Sequence, residues 1–177
     1  GLRVWWEHGA LRPGQEKEDG LVDGLFASAV FVPVLSKAAL ANFGILQADS
    51  PCDHLLLQHV LALEQKERGQ MRAIFPVLVG EVEPGTSHRR RFSETDGLPN
   101  GAEGAVVVSV DEIARGQLAR RYGPGDAEFR LSERAPGAVL ARLLQHYGGD
   151  VDGSVLDDAL VAVSQAICTT VMDVAAG

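Results

Sequence analysis

Metal and nucleophilic chemistry need histidines, cysteines and carboxylates at particular spacings. The five histidines, His8, His54, His59, His88 and His146, are scattered along the chain. His54 and His59 share one apolar-periodic stretch but lie five residues apart, which puts them on different sides of a helix. A helical metal pair needs a spacing of three or four, so no metal site is expected. Cys52 and Cys168 are too few for a disulfide framework and read as reduced thiols. There is no Walker A loop, dinucleotide-binding glycine fingerprint or nucleophile elbow. Gly123-Pro124-Gly125 opens onto a loop and has no strand before it. His88-Arg89-Arg90-Arg91 is a basic patch in an acidic chain, and it reads as a solvated loop more readily than as an anion or partner contact.

The whole-chain balance narrows the function classes further. The 177 residues are 46% hydrophobic and 23% charged, ordinary globular composition for one domain with an appendage. Twenty-four acidic against sixteen basic residues give a net charge of −8, which disfavours an electrostatic grip on nucleic acid. The longest clean apolar run, residues 29–35, is far short of the roughly 18 to 20 residues that cross a bilayer, and it contains Pro33. No membrane span is expected. No basic and apolar leader pattern precedes Leu2, so the expected location is cytoplasmic.

The elements that would position any site alternate in type. Leu2-Arg3-Val4-Trp5-Trp6 reads as a buried strand, and the loop through Leu11, Arg12, Pro13 and Gly14 as a type II turn. Residues 16–25 carry Leu21, Val22 and Leu25 at helical spacing. Residues 29–35 form a continuous strand that should fray near its carboxyl end because Pro33 cannot donate to a ladder. A short helix over 37–42 and the strongest helix of the first half, 52–64, follow. Residues 72–80 are a second strand with an embedded proline, which completes a βαβ unit. Residues 81–104 read as a long irregular connection with a short helix around 89–92, and 105–110 as the last strand. Helices are expected over 111–121 and 135–147, the latter with Pro136 in its first turn and Gly148-Gly149 at its exit. From Ser154, the residues Leu156, Leu160, Val163, Ile167 and Val171 predict a final helix of about five turns whose stripe packs on the domain. Strands alternating with helices, and apolar runs too uninterrupted for a half-exposed sheet, predict a doubly wound parallel α/β fold. The domain division is residues 1–149 plus a C-terminal helical extension, 150–177.

The order of these features resembles the TIR domain, the Toll/interleukin-1 receptor module. The Leu11-Arg12-Pro13-Gly14 turn resembles the family's BB loop, residues 31–36 its third strand and following turn, and residues 53–63 its αC helix. The match resembles TIR modules of algae and bacteria most, in which a stretch like Cys52-Asp53-His54-Leu55-Leu56-Leu57 precedes a glutamate. The resemblance covers residues 1–147 and is strongest up to Gly80. It implies a flavodoxin-like parallel sheet with helices on both faces, and a signalling module that self-associates with other TIR domains. In many members it also implies hydrolysis of NAD at the nicotinamide-ribose bond, so NAD enters as a possible substrate and no cofactor is called for.

Two departures bear on that inheritance. Counting from Asp53, the position of the catalytic glutamate holds Gln58. Glutamine can hydrogen-bond a ribose hydroxyl but offers no negative charge to a developing oxocarbenium ion, a loss of about 10² to 10³ in rate. Glu64 lies six residues further on, about 9 Å along a helix, and cannot take its place. Under the resemblance, Ser36, His54 and the loop residues Leu11, Pro13 and Gly14 line the same crevice at the strand ends; of Trp5 and Trp6 one reads as a core residue, while one could stack on a base at the crevice mouth. The expected function is therefore an assembly module whose NAD-hydrolase position is silenced by Gln58; the alternative is an active NAD glycohydrolase in which another carboxylate substitutes. A generic receiver or nucleotide-binding domain fits less well, since an acidic cluster at strand ends is missing. The second departure is that Gly1 corresponds to the turn before the family's second strand. The first strand, central in the family's sheet, is then expected to be absent, supplied by another segment or supplied by another chain, with strand edges left open to aggregation.

Overall fold

The computed structural model describes residues 17–79 and 104–146. In chain order the elements are α1 (Lys17–Phe26), β1 (Val30–Phe31), β2 (Val34–Ser36), α2 (Lys37–Leu40), a 3-10 turn Ala41–Gly44, α3 (His54–Glu67), β3 (Ala73–Ile74), β4 (Val77–Val79), α4 (Val108–Tyr122), a second 3-10 turn Pro124–Asp126, and α5 (Pro136–Leu144). The expected strand at 2–6, the proline-glycine turn, the helix around 89–92 and the final helix from Ser154 lie outside the described residues.

Strand and helix are mixed, and the strands pair in parallel. Val30 faces Ala73 and Phe31 faces Ile74; beyond a gap, Val34 faces Val77, Leu35 faces Leu78 and Ser36 faces Val79. The two apolar runs therefore adjoin, as a βαβ unit requires. The expectation of a strand that frays at its carboxyl end is corrected. The strand stops for two residues and resumes as far as Ser36, because Pro33 lacks only the donor. Its carbonyl still accepts the Val77 N–H at 2.9 Å, as that of Phe31 accepts the Phe75 N–H at 2.8 Å.

The expected last strand, 105–110, is also corrected. Residues 105–107 form no ladder, and α4 begins at Val108. Val107 sits at the cap in extended conformation (φ −76°, ψ 111°) and its carbonyl accepts the Asp111 N–H. The β-branched run gave way to a helical period: Val107, Val110, Ala114 and Leu118 are all buried, a spacing that belongs to one helix face.

α3 is the element around which the rest is arranged. Asp53 caps it, its carboxylate accepting the Leu56 N–H at 2.9 Å. Every residue from His59 to Gln65 is buried, nearly two full turns, so this helix is enclosed on all sides and is no one-faced surface helix. It packs against α1, α4, α5 and β3. Leu56, Leu57, Val60, Leu61 and Leu63 join Leu21, Val22 and Leu25 of α1, Leu118 of α4, and Val139 and Leu143 of α5 in one core.

Helices α3, α4 and α5 run in the same sense. Where α3 and α4 begin, the Val108 N–H donates to the Ala48 carbonyl at 2.9 Å and Ser109 Oγ donates to the Ser50 carbonyl at 2.9 Å. Where they end, the Arg68 guanidinium lies over the Tyr122 ring at 4.7 Å. α5 follows suit, with Arg134 just before it bound to Asp111 in the first turn of α4, and Arg142 in its last turn bound to Glu67 at the end of α3. The shared starting end lies past the carboxyl ends of β1 and β2, since β2 runs through α2 into the 3-10 turn beside it.

Candidate functional site

Of the sequence-predicted site residues, Ser36, His54 and Gln58 fall on described elements, while Leu11, Pro13 and Gly14 lie outside them. Ser36 closes β2, and its hydroxyl accepts the Ala39 N–H at 3.1 Å, starting α2. His54 opens α3 directly after its cap, and Gln58 stands one turn later on the same face by its spacing of four. All three are half-buried. Ser36 thus ends β2, while His54 and Gln58 occupy the first turns of α3, which follows after α2 and a 3-10 turn, an order in which strand ends and helix beginnings share one end of the fold. Among the described residues, no group of three or more His, Cys, Asp or Glu is placed to hold a metal ion.

The next residue, His59, is fully buried and turned away from that face. Its ring is held edge-on between Phe31 and Phe43, with centroids 5.9 Å away in both cases. Neither ring nitrogen has a hydrogen-bond partner among the described residues. Burial alone pushes its pKa from the ordinary 6.5 down to about 3, because a charged imidazolium in this apolar slot would forfeit its hydration. It is a neutral core histidine.

Glu64, which the sequence set aside as too distant to replace Gln58, is a buried charged group whose partners the sequence did not reveal. It has no solvent exposure, yet one oxygen accepts from Arg68 Nε at 2.6 Å. The backbone N–H groups of Arg130 and Leu131 also donate to it, at 3.0 and 2.9 Å to the second oxygen. Arg68 completes the arrangement by donating to the Glu128 carbonyl at 2.6 Å and stacking on Tyr122. A carboxylate so engaged has no lone pair to offer a substrate. Its role is to fasten the connection between α4 and α5 to the central helix. No sequence signal marks it, since its partners are backbone amides 66 and 67 positions away.

A groove of about 340 Å³ lies beyond that fastening, between the end of α3, residues 130–133 and α5. Its floor is Leu131 and Ala138, and its rim carries Arg130, Ser132 and Glu133. At one side Arg142 donates to Glu67 at 2.6 Å and to Gln145 at 3.1 Å, so that guanidinium is already neutralised. Beside it, the pKa of His146 is lowered, first by burial and then by the charges of Lys66 and Arg142. Of the described residues predicted from sequence, neither Ser36, His54 nor Gln58 lines this groove.

Compared with known proteins, the chain matches no family model, no curated protein and no solved structure.

Proposed function

We propose that this chain is a TIR-type signalling module of the cytoplasm that works by assembling with other TIR domains, on a flavodoxin-like sheet, and that Gln58 leaves its NAD-hydrolase position silent. The supporting observation is the arrangement around α3. Two parallel strands, residues 30–36 and 73–79, adjoin in one register across a helix that Asp53 caps and whose second turn presents a half-buried Gln58. The order strand, capped helix, strand is that of the resemblance. On this reading the Gln58 amide can hold a hydroxyl but cannot stabilise positive charge on a ribose ring.

The test is nicotinamide release from NAD, followed by chromatography, for the chain as it stands and for Gln58→Glu, with sedimentation of both to read self-association. Self-association with no release by the Gln58 form, and release rising by about 10² to 10³ in Gln58→Glu, is the expected result. Release by the Gln58 form overturns the silencing and favours an active glycohydrolase using another carboxylate. A monomeric, inert protein in both forms removes the assembly reading as well.

A further inference from the structure

We propose that the end of the domain at which α3 and α4 begin is a docking surface for a basic amphipathic helix of a partner protein. Three large apolar side chains are left in water there. Ile45 is 71% exposed, Val108 50% and Val106 36%. They are brought to one end by the hydrogen bond from Val108 N–H to the Ala48 carbonyl and by that from Ser109 to the Ser50 carbonyl, which tie the segment after the first 3-10 turn to the start of α4. The apolar positions are thus on a braced backbone among the described residues. Three such side chains at one braced end are a candidate for an interaction surface.

The charges around it select the occupant. Asp49 and Glu112 are exposed on the same two segments, and neither has an ion-pair partner among the described residues. The nearest cation along α4, Arg115, turns to Asp111 at 3.8 Å and to the Phe129 ring at 5.2 Å. Apolar anchors with two free carboxylates on the same segments fit a helix that carries leucine-like residues on one face and lysine or arginine on its flanks. A second copy meeting this end symmetrically would set Asp49 and Glu112 against the same groups of its partner, and an anionic lipid surface would meet the same repulsion. The surface does not involve Gln58, and its test is separate from that of NAD chemistry.

The probe is a fluorescent 18-residue peptide of leucine and lysine at helical spacing, titrated with the intact chain and compared with a scrambled peptide of the same composition. Saturable binding with Kd of about 10 to 100 µM for the amphipathic peptide only is expected. Ile45→Ser and Val108→Ser, which keep the charge, should each weaken it by about tenfold. Asp49→Asn with Glu112→Gln should weaken it and flatten its salt dependence, while Arg121→Ala, at the opposite end of α4, leaves it unchanged. Equal binding of the scrambled peptide, or binding indifferent to Ile45→Ser and Val108→Ser, overturns the proposal. Self-association abolished by Ile45→Ser would make the occupant a second copy, and binding of anionic vesicles in place of the peptide would make it a membrane; either overturns it too. Circular dichroism of each variant separates loss of the surface from loss of the fold.

Discussion

Pro33 and Pro76 stand opposite each other in the parallel strand pair. Val30 faces Ala73 and Val34 faces Val77, an offset of 43 positions in both cases, so the register is one and the same on either side of the break. In a parallel ladder the N–H and carbonyl of one residue point to the same neighbour, and the Pro33 carbonyl points to Val77. The donor missing at Pro33 is therefore the one that would meet the Phe75 carbonyl, whereas the donor missing at Pro76 would point away from this strand pair.

Restoring that donor should mend the ladder without moving it. Pro33→Val is expected to shift stability by less than about 1 kcal/mol, a net hydrogen bond of about that size being offset by the freedom the unfolded chain regains. The new amide at position 33 should exchange slowly with deuterium. Fast exchange there would mean that the gap has some cause besides the imino acid.

His59 gives the fold an acid dependence whose sign follows from its depressed pKa. Its folded pKa is about 3 against 6.5 when unfolded, so below 6.5 the unfolded chain takes up a proton that the folded chain refuses. Its contribution is complete above pH 6.5 and is lost as pH falls towards 3. The loss is about 1.4 kcal/mol per pH unit, or about 2 kcal/mol at pH 5. Urea titrations from pH 7 to 4 should show it, and His59→Phe should remove it. An unaltered slope in that variant would assign the acid lability to other groups.

Glu64 and Arg68 should behave as one unit. Glu64→Ala leaves an almost wholly buried guanidinium unpaired and two backbone N–H groups without acceptors, and should cost about 3 to 5 kcal/mol. Glu64→Gln keeps an acceptor and should cost less. In a double-mutant cycle with Arg68→Ala, the two losses should overlap by more than about 1 kcal/mol. Simple additivity would contradict the coupling drawn from the geometry.

The Asp53 cap offers a milder test of the helix that carries Gln58. Asp53→Ala should destabilise by about 1 kcal/mol and Asp53→Ser by much less, measured by thermal unfolding. A loss several times larger would show that Asp53 serves something other than the Leu56 amide.

Legibility from sequence divides along the range of the interactions. α1, α3 and α5 were readable because Leu21, Val22 and Leu25, the leucines after His54, and Pro136 carry their signals within a few residues. The break at Pro33 was readable as a missing donor, but its harmlessness was not, because it rests on a carbonyl paired with Val77 on another strand. Residues 105–107 misled because a β-branched triplet has high strand propensity, while burial of Val107 and Val110 beside Leu118 was decided by tertiary packing. That Ser36 ends a strand and that His54 and Gln58 lie at the start of a helix was legible from order alone. The fastening of Arg130 and Leu131 by Glu64 was not, since a glutamate on a helix reads as solvated until the segment that covers it is known.

That fastening makes the Arg130 and Leu131 segment, which belongs to no helix or strand, open only together with α3. Its amides should resist hydrogen exchange at the level of global unfolding, and a protease should leave it uncut. A stretch that resembles a surface loop in its backbone is, in cooperative terms, a portion of the central helix.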